Sequence, residues 1–288
     1  MDVASTSDYP VEEQENPLFT PDLNKEENFS DFLTALAQST QPPVQKRVLE
    51  SSLQQIERIL TLLCEDRNGD LLTESAPSWA SHLRIGLRSI YQDKNLDQDI
   101  KRTALRISSL LLELLSGYWL VSDPQFLCIL AHLSSIELKI CLDQDPTQLT
   151  PTEDLLIVRC CEIVEKSMNL VEDQSITLSD ELAIQIATVT QDTISYLMDY
   201  LVQTKHQNYE DVFRVKLPLF RLICSFLAQG GKEIINLNLL RSTLPVLIEI
   251  VLNSSNAEID LEQLLVPVIE NCEEFVSPAD KKKLGIFK

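Results

Sequence analysis

The chain has 288 residues, 44 of them acidic and 24 basic, for a net charge of −20. Six glycines and 6% aromatics accompany a 44% apolar fraction rich in leucine and isoleucine, a balance that disfavours sandwiches and barrels, which need turn glycines. So acidic a surface repels phosphate backbones and anionic leaflets, which argues against nucleic acid and membrane surfaces as partners.

The first 31 residues hold nine acids and one lysine. They carry little apolar periodicity, so they bury too little surface to offset chain entropy. Residues 1–28 are therefore expected as a disordered acidic tail, and 29–288 as one helical domain. The opening MDVASTSDYPVEEQENP has neither a basic n-region nor an apolar h-region, so no signal peptide is expected. A short helix is expected over 29–38, broken by Gln41-Pro42-Pro43. Residues 44–64 read as an amphipathic helix with Val48, Leu49, Leu53, Ile56, Ile59, Leu60 and Leu63 on one face. After a loop at 65–70, Ser75-Ala76-Pro77 opens a helix carrying Trp79, Leu83, Leu87 and Ile90.

Residues 96–142 hold the strongest helical text. Ile100, Ala104, Ile107, Leu111 and Leu114 recur at three- and four-residue steps, and so do Phe126, Leu130, Leu133, Ile136 and Ile140. Between them Gly117 is placed for a left-handed helix end, and Asp123-Pro124 for an N-cap and first-turn proline. These features predict an antiparallel helical hairpin.

Next come a turn at 143–146 and a capping-box pattern at Thr150-Pro151-Thr152-Glu153. Its helix carries Leu155, Leu156, Ile163, Val164 and Met168. Ser179 starts a longer helix, with Leu182, Ile186, Val189, Thr193, Tyr196 and Tyr200 expected to face inward. Pro218, Pro245 and Pro267 each fall inside an apolar helical pattern, where they bend the axis. Gly230-Gly231 separates the first two of these helices. A last short helix is expected from Ser277, ending at Lys281-Lys282-Lys283.

About ten helices, no strand signal and short loops predict an all-α fold. Leucine-rich hairpins recur about every forty residues, as in two-helix solenoids. The expected architecture is an armadillo/HEAT-like α-solenoid of antiparallel helical hairpins, with a compact non-repeating bundle as the alternative. Apolar runs such as residues 244–252 are too short to cross a bilayer.

The seven cysteines are Cys64, Cys128, Cys141, Cys160, Cys161, Cys224 and Cys272. They lie mostly in apolar stripes without a CxxC pair and read as reduced thiols of an intracellular protein. Cys128 and His132 stand four apart on one helix, a possible metal pair, but zinc needs about four ligands and no second pair is suitably spaced. The adjacent Cys160 and Cys161 point to different faces. The histidines are His82, His132 and His206, and no GxSxG, P-loop or GxGxxG appears. Gly230-Gly231-Lys232 reads as a turn between helices in preference to a phosphate cradle. The acids Glu57, Glu65, Asp66, Asp70, Asp93, Asp97, Asp99, Asp143 and Asp145 form a candidate stripe for a basic partner, with ordinary loop solvation as its plainer reading. Trp79 reads as a core plug. Trp119, placed in a loop, is the stronger candidate for a contact role. No catalytic residue, cofactor or metal is assigned.

The text Leu83-Arg84-Ile85-Gly86-Leu87-Arg88, then Ala104-Leu105-Arg106-Ile107, Gly117-Tyr118-Trp119, and Phe126 through His132 to Ile140-Cys141-Leu142 resembles the neurochondrin family. The later stretches Val212–Val215, Arg221–Leu227 and Leu244–Leu247 are similar to it in the same order. The resemblance covers about residues 29–252. It implies a cytoplasmic, armadillo-like protein without enzymatic activity, associated with neurite outgrowth, neuronal signalling and negative regulation of a calmodulin-dependent kinase. The expected function is therefore non-enzymatic binding of other proteins by a monomer. Family members are more than twice as long, so a fragment of a longer solenoid is one alternative. Its raw end would expose Leu261, Leu264, Leu265 and Ile269. A helical metal protein or enzyme built on Cys128 and His132 is the other.

Overall fold

The computed structural model describes residues 26–42, 44–65, 76–172, 177–206, 209–253 and 260–277. Over these residues the chain forms ten α-helices and four short 3₁₀ turns, without a strand. The helices are α1 (Glu26–Gln38), α2 (Lys46–Glu65), α3 (Ser78–Gln92), α4 (Gln98–Leu115), α5 (Pro124–Leu142), α6 (Pro151–Glu172), α7 (Asp180–Gln203), α8 (Tyr209–Ala228), α9 (Leu237–Asn253) and α10 (Leu261–Asn271). The first begins three residues ahead of the expected start, and the acidic stretch before Glu26 lies outside the described residues. So do residues 66–70 of the expected loop, whose first residue Glu65 ends α2, and the expected helix beyond Ser277.

Local chemistry explains the helix ends. Glu153 N–H donates to Thr150 Oγ1 at 3.3 Å while Thr150 N–H donates to Glu153 Oε2 at 2.9 Å, the reciprocal pair that the capping box predicts. At α7 the Ser179 hydroxyl accepts from Leu182 N–H. Pro218, Pro245 and Pro267 sit inside α8, α9 and α10. Gly86 has no room for a side chain, because a Cβ there would lie 1.9 Å from Thr40 Oγ1 in the turn after α1.

Packing follows a simple rule: most helices rest on the one after next. One row runs α2, α4, α6, α8, α10. The other holds α1 on α3, then α5, α7 and α9, with the 3₁₀ turn Tyr118–Leu120 touching both α3 and α5. α6 touches both α5 and α7 and so ties the rows together. α5 is long and apolar enough to cross a bilayer by length and composition, unlike the shorter runs considered from sequence, but 61% of that window is buried inside the protein. Its neighbours are other helices, α6 and α7 foremost.

Charge pairs set the register of the first row. Arg106 on α4 reaches back to Glu57 on α2, Arg159 on α6 to Glu113 on α4, and Arg214 and Arg221 on α8 to Asp154 and Glu165 on α6. Such fixed, partly desolvated pairs favour one alignment of neighbouring helices over sliding.

Five sequence expectations need correction. The central hairpin is not a tight pair: α4 packs chiefly on α2 and α6, while α5 packs on α6 and α7. The left-handed residue between them is Ser116, at φ 50°, whereas Gly117 has an ordinary φ of −82° and opens the 3₁₀ turn. Asp123 precedes Pro124 as predicted, but its carboxylate pairs with Arg88 on α3 and caps nothing. Several apolar faces are also rotated. α5 turns Ile136 and Ile140 outward and buries Ser134, Ser135 and Glu137, because Arg102 and Gln98 satisfy that glutamate from α4. Val48 and Leu155 are exposed, and Ile194, Leu197, Met198 and Leu201 replace Val189, Tyr196 and Tyr200 as the buried side of α7. Finally, of the set expected to be exposed, Leu261, Leu265 and Ile269 are buried and Leu264 is half-buried, with α10 packed on α8.

Candidate interaction surface

The residues with chemical potential are mostly used inside the fold. His132 Nδ1 lies 2.8 Å from the carbonyl oxygen of Cys128, placed to donate to it, and the Cys128 thiol donates to Gln185 Oε1 at 3.4 Å. Among the described residues no three His, Cys, Asp or Glu side chains converge as metal ligands. Cys160 and Cys161 are buried, and burial pushes both thiols well up from their ordinary range. Burial likewise raises Cys141 to about 11, so these thiols are poor nucleophiles. Lys232 donates across to the carbonyl of Asn271 and to Glu274, while Gly230 takes the left-handed turn at φ 87°. That turn joins helices and offers no free lysine to a phosphate.

Trp119 corrects the sequence reading. It is fully buried on its 3₁₀ turn, stacked edge-on to Phe126 at 5.9 Å, and its carbonyl accepts from the buried Arg84. It is a core plug like Trp79.

The proposed acidic stripe is not one surface either. Glu57 pairs with Arg106, Asp97 with Lys46, and Asp93 and Asp145 hold the backbone N–H of Asn95 and Thr147. Asp66 and Asp70 lie outside the described residues.

A different acidic face emerges from the second row. α7 carries Asp180, Glu181, Asp192 and Asp199 and no lysine or arginine. None of these four is in an ion pair among the described residues. In the first row, by contrast, Glu57, Glu113, Asp154 and Glu165 are answered by arginines from the next helix.

Where α5 and α7 end together, a groove of about 450 Å³ opens between them. Asp143, Asp145 and Asp199 line it with Tyr196 and Tyr200. Tyr196 donates to Asp143 Oδ1 at 2.7 Å, and Lys139 lies 5.7 Å over the Tyr196 ring. The Thr147 backbone N–H holds the Asp145 carboxyl below its usual range. Burial, with the Asp145 charge beside it, raises Tyr200 to about 12. The groove is thus negative at neutral pH and keeps its phenols protonated. Beside it, Ile136 and Ile140 are 52% and 43% exposed and fall on one stripe with Asp143.

A second cleft of about 220 Å³ lies among α6, α7 and the Gly231–Ile234 turn, lined by Met168, Ile186, Thr190 and Phe226. Two surface features thus distinguish this helical stack: a row cross-linked by arginine–carboxylate pairs and an acidic, aromatic and apolar face on the other.

A family model described as neurochondrin matches residues 30–265. The chain belongs to the neurochondrin family. The match runs from α1 into α10, so the α5–α7 face lies well within the neurochondrin region. No curated protein and no solved structure matches the chain.

The groove was not legible in sequence. Its carboxylates come from the turn after α5 and the last turns of α7, more than fifty residues apart. The absence of bases across the whole of α7 was the signal that was available.

Proposed function

We propose that this chain is an armadillo/HEAT-like α-solenoid that works by binding other proteins in the cytoplasm, as a scaffold without catalysis. The packing of helices on their after-next neighbours carries the reading. A stack of that kind grows in one dimension and offers long continuous faces to partners. Family membership supports it, and so does the commitment of the reactive side chains to internal hydrogen bonds. The resemblance to neurochondrin adds neurite outgrowth and neuronal signalling, with negative regulation of a calmodulin-dependent kinase as the concrete activity.

Calorimetric titration of the full chain into a purified calmodulin-dependent kinase tests this, paired with a peptide phosphorylation assay. The expected result is saturable binding, with phosphorylation falling as occupancy rises. Absence of binding removes the kinase assignment. Turnover of ATP by the chain without kinase overturns the non-enzymatic reading.

A further inference from the structure

We infer that the α5–α7 face is a docking surface for a basic amphipathic helix about three turns long. The inference rests on the protein-binding reading above and names the chemistry of one partner segment.

Three observations converge. The outward stripe of α5 runs from the half-buried Ile129 and Leu133 to the exposed Ile136 and Ile140. At the helical rise it extends about 16 Å, which an apolar face with anchors at i, i+4, i+7 and i+11 would cover. Along the neighbouring α7, Asp192 and Asp199 are exposed and form no ion pair with any described residue. The groove at the end of the stripe adds Asp143, Asp145 and Asp199, a setting that attracts a guanidinium or ammonium by charge, while Lys139 already lies over the Tyr196 ring. An acidic helix would be repelled here. A purely apolar one would leave the groove carboxylates without a counter-charge.

Charge complementarity selects this face over the opposite row. There Glu57, Glu113, Asp154 and Glu165 already hold arginines of the protein itself. A basic ligand would have to displace them.

The test uses the full chain and three labelled synthetic peptides of about 14 residues. One is a leucine–lysine–arginine helix with its leucines on one face. The second is a scramble of the same composition without that face. The third keeps the leucines and replaces each base by glutamate. Fluorescence anisotropy is expected to show saturable one-to-one binding of the first, at least about tenfold tighter than the scramble, and no binding of the third. Affinity should fall with added salt. The pair Ile136→Asp and Ile140→Asp, both at exposed positions, should weaken binding at least about tenfold, and the pair Asp192→Lys and Asp199→Lys at least about fivefold. Hydrogen exchange on the unmodified chain should show new protection on α5 and α7, a readout that needs no variant to fold. Equal binding of the scramble would reduce the effect to general polyanion attraction and overturn the inference, as would protection confined to other helices. Either result leaves the protein-binding reading standing. That reading falls only by its own kinase and ATP tests.

Discussion

Glu137 is 4% exposed in the middle of α5, an unusual place for a carboxylate. It is held there by α4: Arg102 Nε donates to Oε2 at 3.0 Å and Gln98 Nε2 to Oε1. Replacing Arg102 by Met keeps most of the aliphatic bulk but strands the carboxylate with one neutral donor. Breaking such a buried pair costs roughly 3–5 kcal/mol. The Arg102 side chain is 20% exposed, so some water reaches the vacated space and the lower end, about 3 kcal/mol, applies. For a domain of this size that lowers the melting temperature by about 6–12 °C. Replacing both partners, Arg102→Met with Glu137→Leu, should restore most of the loss, because well-packed apolar groups of similar volume cost little where a matched pair stood. Urea unfolding followed by circular dichroism measures all three variants as a double-mutant cycle. If Arg102→Met costs under about 1 kcal/mol and the double variant is no better than the single, Glu137 is solvated and the reasoning fails.

Further outcomes follow from named local features. Thr150→Ala removes half the capping box and should cost about 1 kcal/mol by urea unfolding. Within that box the Thr150 backbone N–H, then its hydroxyl, holds the Glu153 carboxyl below its ordinary range. A pKa lowered on folding contributes stability above the unfolded value and loses it as pH falls through the folded one. The advantage of the native chain over Glu153→Gln should therefore be present at neutral pH and begin to shrink as the pH falls below the unfolded glutamate value of about 4.3 in a pH series of melts. Ser116→Gly should stabilise by about 0.5–1 kcal/mol, since relief of a positive φ outweighs the added chain entropy; a lower melting temperature would contradict that. Thr190 is 2% exposed with its hydroxyl unpartnered, so Thr190→Val should raise stability by about 1–2 kcal/mol, and a drop in the urea midpoint would show that the hydroxyl has a partner.

The fold was legible wherever a signal was local. The capping box at Thr150, the Ser179 cap, the first-turn Pro124 and the three helix-interior prolines all follow from sequence spacing and backbone chemistry, and all are present. Trp79, Leu83, Leu87 and Ile90 are buried as their period predicts. What failed was the assignment of neighbours. Periodicity says that a helix has an inner face but not which helix covers it, so it pairs α4 with α5 across their turn although each packs mainly on others. The same blindness misplaced Ile136 and Ile140. Periodicity turns apolar side chains inward, whereas Glu137 takes the inner position because Arg102 and Gln98 donate to it there. No pattern within α5 reveals that a carboxylate has donors 35 and 39 residues upstream.

That substitution of a buried acid for two exposed isoleucines bears on the candidate surface as well as on the fold. A helix in a purely apolar stack would bury its isoleucines and leave its acids in water. α5 does the reverse, and α7 beside it carries acids that no described arginine neutralises, although the first row pairs Arg106, Arg159, Arg214 and Arg221 with acids one helix back. Four arginines thus hold the first row in register, whereas among the described residues none pairs with an acid of α7. Packing alone does not call for that asymmetry. A face kept apolar and anionic, with tyrosines at its end, is one whose unmet interactions are satisfied by something basic arriving from outside. Within that face Thr193 donates to Ser135 and Tyr196 to Asp143, and these contacts between α7 and the end of α5 hold the carboxylates of the turn and of α7 at a fixed spacing.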